Sequence, residues 1–373
     1  MKKLLLITTS FPETFNGEEA AGAFVYDYCL ELSMHVDLHV LHPGSKSGSR
    51  QIKSNFTVHG FSASSKALSL LKFYKPRDAL QIIKILRGGK ALTKELVEKY
   101  KVDHIFCLWA LPSGYWARST GVTFDIWALG SDIWSLGKIP IVRTVLRKVL
   151  MGAGRLYADG FQLADDVKAL SGRECTFLPS SRNLGGVSVD KKPRDEEGKL
   201  KLVFLGRWHR NKGVDLLLEA LEFLDEGDWA KISEIRIAGG GPLEKEVRST
   251  VRALIKRGRP VTCMGYLDKA EAVDFLSRAD WFLLPSRIES VPVIFSDCMQ
   301  LKLPVVSMPV GDVPRLMEVY GVGFCCKNVD ASDFSLAIKK ALNGFSVREE
   351  NFLKCANDFS VESSVQMLLE HIK

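Results

Sequence analysis

The sequence predicts an α/β fold of two doubly wound, Rossmann-like domains, and two observations carry that prediction. Short apolar runs alternate with segments of helical period nearly end to end: "KLLLIT", "GAFVYDYCLELSM", "VDLHVLH" and "DHIFCLWA", then "KLVFLG", "EIRIAG", "VTCMG", "WFLLPS" and "PVVSM". Continuous apolar runs, rather than alternating ones, suit strands of a parallel sheet covered by helices on both faces. The chain is also 373 residues long, which is comfortable for two domains. The stretch "GGVSVDKKPRDEEGK" parts two halves of similar type with glycine, proline and charge but no apolar period. The expected boundaries are therefore a first domain at 1–184, a linker at 185–199, a second domain at 200–357 and a terminal segment at 358–373. Ligands of such sheets bind beyond the carboxyl ends of strands, so the site is expected in the cleft between the domains.

Composition narrows the class. With 46% hydrophobic and 25% charged residues the chain has ample core. No apolar run approaches the ~18 residues of a membrane span. "MKKLLLITTSFPE" reads as a first strand, because its apolar run stops at Ile7, too short for a secretory signal. Eight cysteines without a C-x-x-C pair read as reduced thiols in a cytoplasmic protein. Charge is uneven: residues 1–184 hold 24 Lys and Arg against 16 Asp and Glu, and the remainder 27 against 28. The net +7 thus belongs to the first half.

Three junctions in the second half place polar groups where a strand gives way to a helix. In "KLVFLGRWHRNKGVDLLLEAL", Gly206 ends a strand, and Arg207 and Lys212 precede an amphipathic helix. Two cations beside a helix N-terminus suit a diphosphate; the same spacing suits a solvated basic loop. In "IRIAGGGPLEKEV" the glycines Gly239–Gly241 permit a close backbone approach or a positive-φ turn. In "PSRIESVPVIFSDCMQ", Ser290 is read as an N-cap and Pro292 as the first helical turn, so Glu289 projects from the loop and Asp297 lies along the helix. Dipole stabilisation by Glu289 and a solvated helix face for Asp297 are the structural alternatives.

Taken in order, these motifs resemble the donor domain of the GT-B glycosyltransferases, specifically the retaining family with an E-x7-E motif, glycosyltransferase family 4 ("glycosyl transferases group 1"). The matching residues are Gly206-Arg207, Lys212-Gly213, Gly239 to Pro242, Pro285 to Glu289, Asp297-Cys298-Met299, Pro304-Val305-Val306 and Gly311 to Pro314, over about 202–345. Asp297 stands where glutamate is usual, and Arg315 where the pattern closes on another glutamate. The resemblance implies a nucleoside-diphosphate sugar, UDP- or GDP-linked, as co-substrate, with no other cofactor and no metal. It implies that Arg207 and Lys212 neutralise the diphosphate, that Glu289 accepts donor-sugar hydroxyls and Asp297 those of the ribose. Backbone N–H groups near Ser290 and Val291 would hold sugar or phosphate oxygens, and Gly265, Tyr266 and Leu267 would border the nucleobase.

The first half resembles the acceptor domain of the same family. Gly22, in "EEAAGAFVYDYCLEL", fits the loop glycine that approaches the diphosphate. In "WALGSDIW", Gly130 and Asp132 fit a His-Gly-x-Asp segment, with Leu129 in place of the histidine and Trp127 as the candidate to serve the sugar instead. A helix N-cap is the structural alternative for Asp132. "FSVESSVQMLLEHIK" resembles the family's final helix, which returns to the first domain. The implied reaction retains anomeric configuration by front-face attack, the diphosphate taking the acceptor's proton. A glycan or lipid-linked acceptor in envelope polysaccharide or glycolipid synthesis is expected, and no nucleic acid. A silent nucleotide-sugar binder and a GT-B epimerase are the alternatives.

Residues 46–94 hold eleven Lys and Arg and one acid, Asp78, interleaved with Leu, Ile, Phe and Tyr. That pattern fits an interfacial segment on an anionic membrane surface and, equally, core-facing helices with solvated lysines.

Overall fold

The computed structural model describes residues 1–12, 22–62, 71, 75–185 and 198–372. Most of the expected linker, 186–197, lies outside the described residues, as do 63–70 and 72–74 of the basic stretch. The chain forms two compact units, unit 1 being Met1–Ser180 with Val361–Lys373 and unit 2 being Ser181–Ser360. Each is an α/β unit built on a largely parallel sheet.

In unit 1 the described strands are β1 (Lys3–Ile7), β2 (Asp37–Gly44), β3 (Gly48–Lys53), β4 (Phe56–Ser62), β5 (His104–Leu108), β6 (Phe124–Ala128), β7 (Leu156–Ala158) and β8 (Thr176–Phe177). They lie in the order β3-β4-β2-β1-β5-β6-β7-β8, parallel except for the β3–β4 pair. The central strand β1 reads KLLLI, with Leu4 to Ile7 fully buried, because helices cover both faces. One face packs the helices Pro76–Tyr100, Phe161–Ser171 and Pro140–Gly152 through Ile85, Val167 and Leu146. The other packs Ala23–Leu32 and the terminal helix Val361–Ile372 through Tyr28 and Val365. That last helix is fixed in unit 1 by Ser364, whose hydroxyl donates to the Pro179 carbonyl at 3.0 Å.

In unit 2 the described strands are β9 (Leu200–Arg207), β10 (Ile232–Gly240), β11 (Val261–Met264), β12 (Trp281–Leu284), β13 (Val305–Ser307) and β14 (Gly323–Cys325), all parallel in the order β11-β10-β9-β12-β13-β14. The chain winds one way from β9 to β10 and β11. It then returns to the other side of β9 with β12, so a topological switch point lies between β9 and β12. Crevices at such points bind ligands, because the loops leaving the two strands diverge there.

Candidate active site

The loops that follow β9 and β12 meet backbone against backbone. Gly213 has φ +69°, and a Cβ there would stand 1.8 Å from the Pro285 carbonyl oxygen, so only glycine fits. Arg287 fastens the two loops: its backbone N–H donates to the Asn211 carbonyl at 2.8 Å and its guanidinium to the Arg210 carbonyl at 2.6 Å. The same guanidinium makes a bidentate pair with Asp215 at 2.8 and 2.9 Å. A planar fork held at both ends is a rigid brace.

This brace brings Lys212 and Glu289 together across the switch point. The Lys212 ammonium donates to Glu289 Oε1 at 2.5 Å, and the buried Ser286 hydroxyl donates to the same oxygen at 2.9 Å. Glu289 is partly accessible, with one oxygen engaged twice. From the far side, Gly311 has φ +52°, and a Cβ there would stand 2.3 Å from the carbonyl oxygens of both Glu289 and Ser290. The Asp312 N–H donates to the Ser290 carbonyl at 3.2 Å. The Glu289–Ser290 peptide is therefore clamped from two directions. Arg207, at the end of β9, is exposed, and no carboxylate among the described residues pairs with its guanidinium.

Ser290 is not the helix cap that its sequence position suggests. The helix runs Val293–Gln300 with Pro292 at the cap position, because proline's fixed φ pre-forms the entry and the cap makes no side-chain hydrogen bond. Ser290 instead buries a hydroxyl that finds no partner among the described residues. The Ser290 and Val291 N–H groups likewise donate to no described acceptor. Buried polar groups are normally satisfied, so the Ser290 hydroxyl and the two N–H groups beside it keep hydrogen-bonding capacity that the described residues do not use.

Asp297 departs from expectation. It is fully buried, neither a solvated residue nor one open to a ribose, and both its oxygens pair with Arg182, through Nε at 3.2 Å and through Nη2. Gln300, one turn on, donates to the Arg182 carbonyl at 2.7 Å and accepts from the Leu184 N–H at 3.2 Å. The Asp297 face of this helix thus anchors the chain entering unit 2. Nothing in the sequence pattern marked Arg182, which is 115 positions away.

At the neighbouring junction the Tyr266 hydroxyl donates to the Gly240 carbonyl at 2.8 Å, and its ring lies over Gly240, where a Cβ would approach to 2.7 Å. Gly265 accepts from the Gly239 N–H at 3.0 Å, and Leu267 is half-buried beside it. Tyr266 remains 63% exposed, a flat surface at the edge of the glycine turn.

In unit 1, Gly22 has φ +79° and abuts the Phe11 backbone, where a Cβ would stand 3.0 Å away; residues 13–21 before it lie outside the described residues. Gly130 has φ +95° and opens the short helix Ser131–Trp134. Trp127 is a core residue. It is fully buried on β6, stacked on Phe106 and donating its indole N–H to the Leu178 carbonyl at 2.9 Å, so it cannot face a sugar. Asp132 is also buried, accepting from the N–H groups of Ala110 at 2.6 Å and Leu129 at 3.3 Å. Burial raises its pKa against those hydrogen bonds, and it ties two loops rather than presenting a carboxylate.

Residues 199–344, most of unit 2, match the family described as Glycosyl transferases group 1. Over 341 residues, 84% of this chain and 82% of the relative, the sequence is 25% identical to a protein of Bacillus subtilis named "Putative teichuronic acid biosynthesis glycosyltransferase TuaC". It is 27% identical over 154 residues to the amylovoran biosynthesis glycosyltransferase AmsK of Erwinia amylovora, covering 39% of this chain and 36% of that one. The fold matches sucrose-phosphate synthase from Thermosynechococcus elongatus with a TM-score of 0.77, 16% identity and 99% and 98% of the two chains covered. It matches Anabaena HepE, solved with UDP and glucose, with a TM-score of 0.69, 14% identity and 99% of each chain covered. The fold is GT-B, and the chain is a glycosyltransferase.

Proposed function

We infer that this protein is a retaining transferase that moves a hexose-type sugar from a nucleoside diphosphate to a glycan or lipid-linked acceptor in cell-envelope polysaccharide synthesis. The observation that carries the donor class is the set of groups at the switch point of unit 2. Lys212 pairs with the carboxylate of Glu289, Arg207 ends the strand that leads into the same loop, and the N–H groups of Ser290 and Val291 and the Ser290 hydroxyl have no partner among the described residues. A diphosphate takes the cations and these unpartnered groups; sugar hydroxyls take the carboxylate. The structural relative solved with UDP and glucose and the relative named for teichuronic acid synthesis support the donor and acceptor classes.

In this reading the bond from the anomeric carbon to the phosphate oxygen breaks as the acceptor oxygen bonds to the same carbon from the same face. The acceptor's proton passes to the departing diphosphate, so no protein base is assigned. Charge grows on the diphosphate in the transition state, and the preorganised cations favour that state over the bound substrate. Ser286 and Lys212 hold Glu289 in one orientation, with its second oxygen left for the sugar. Tyr266 borders the base. The ribose contact expected of Asp297 gives way to anchoring of Arg182. The cations make the reaction independent of a metal ion, and the protein works at the inner face of the membrane.

A thermal-shift screen of UDP- and GDP-hexoses tests the reading. Stabilisation by one of them is expected, lost in Arg207→Ala; no response to any of them contradicts it.

A further inference from the structure

We propose that the outer helical layer of unit 1, centred on helix Pro140–Gly152, docks the protein on an anionic lipid bilayer. This deepens the membrane part of the function proposed above, and rests on that reading only for what the contact serves. The helix buries Leu146, Val149 and Leu150 against the sheet. The opposite side of such a helix is ordinarily polar. Here it carries Ile141 (81% exposed), Val145 and Met151 (54%), interleaved with Arg143, Arg147 and Lys148.

The adjoining helix Pro76–Tyr100 covers the same sheet face and turns Leu80 (61% exposed) and Ile83 outward. Tyr115 joins the two, its exposed ring lying 5.8 Å beneath the Lys90 ammonium. Of the eight large apolar side chains that the described residues of unit 1 expose, six lie on this layer. Such clustering is not the scatter of ordinary surface residues.

Around the central helix the charge is as one-sided as the apolar content. Between Asp132 and Asp159, both buried, stand five Lys and Arg and no acid. None of the five side chains makes an ion pair with a carboxylate among the described residues. A second copy of this chain is a poor occupant, because a two-fold contact through this face would set one unpaired basic set against another. A nucleic-acid backbone would engage the cations but gain nothing from Ile141, Val145 and Met151. An anionic bilayer uses both: headgroups meet the cations while the apolar side chains enter the acyl boundary. None of the described helices is long and apolar enough to cross a membrane, so the contact lies along the interface.

The test is flotation of the full chain with vesicles of phosphatidylcholine containing phosphatidylglycerol, against phosphatidylcholine alone, at low and high salt. Binding is expected only with the anionic lipid and should fall as salt rises. Arg143→Glu with Arg147→Glu should lower the partition coefficient by about tenfold or more. Ile141→Glu with Val145→Glu should lower it comparably while leaving thermal unfolding unchanged, since both side chains point away from the core. Absence of binding to anionic vesicles overturns the proposal. So does wild-type binding by the Ile141/Val145 variant, which would place the contact elsewhere, or a dimer in solution that this variant abolishes. Nucleotide-sugar binding measured without vesicles reports separately on the donor site, so either reading can fail while the other stands.

Discussion

Glu289 is held by two donors on one oxygen, and that asymmetry makes its role measurable. Replacing it with Gln keeps the shape but removes the charge that Lys212 answers. Turnover should fall by about 10²–10³ while free nucleoside diphosphate still binds, because the lost contacts are to the sugar. Equal loss of diphosphate affinity would assign the residue to the wrong end of the donor. Lys212→Ala should weaken diphosphate binding and also leave Glu289 without its ion pair. A second residue-scale prediction lies in unit 1. His59 is buried, sharing a 3.0 Å contact with His39 Nδ1 and a 2.7 Å contact with the Ser49 hydroxyl. Burial first, then His39 and Lys99, lower its pKa from 6.5 to about 4. His39, facing Asp37, Lys3 and Lys99 and stacked on Tyr100, is lowered too, again chiefly by burial. Between those limits the unfolded chain binds a proton that the native one refuses, so stability is lost as pH falls from 6.5 to 4, by up to about 3 kcal/mol. Chemical denaturation across that range should show the slope, and His59→Gln should flatten it.

Among elements, the loop pair that carries Lys212 and Glu289 is set by glycines more than by its charged residues. Gly213→Ala must displace Pro285, and Gly311→Ala must displace the Glu289–Ser290 peptide. Each should cost at least about 2 kcal/mol and lower donor affinity by moving the loops that carry Lys212 and Glu289. Wild-type affinity in both variants would mean that the loops are not braced as described. The Arg182–Asp297 pair, with its carboxylate fully buried, gives a contrasting case. Asp297→Asn removes the buried charge that the half-buried Arg182 guanidinium answers and should destabilise unit 2 by about 2 kcal/mol, with nucleotide affinity per folded molecule preserved; a selective loss of affinity would restore the ribose contact. Much of this was legible in the sequence. Gly206-Arg207, Lys212-Gly213 and Pro285 to Glu289 sit at the predicted junctions because strand-to-helix turns have local signatures. What was not legible is long-range pairing: Arg287 with Asp215, Arg182 with Asp297, and the Lys212–Glu289 contact across 77 positions. Trp127 was misleading for a related reason. An aromatic beside a glycine and an acid looks like a sugar platform, but all five residues of β6 are buried, so an aromatic there is core. Strand β3 escaped notice because it is an exposed edge reading GSRQIK, with no apolar face to give a period.

At the scale of the whole molecule, the two units divide the charge and the chemistry. The basic excess lies in residues 1–184, and the groups suited to a nucleotide lie in unit 2. The fold class followed from strand–helix alternation alone, whereas the unit to which the final helix attaches depends on contacts such as Ser364 with Pro179 that no local pattern encodes. The function proposed for this chain is transfer of a sugar from a nucleoside diphosphate with retention of configuration. Proton NMR of freshly formed product from a panel of α-linked UDP- and GDP-hexoses, with water as the slow acceptor and chelator present, tests it most directly. One donor should release its diphosphate and yield first the α-anomer, and Glu289→Ala should abolish the signal. First appearance of the β-anomer, or turnover that survives in Glu289→Ala, would contradict it.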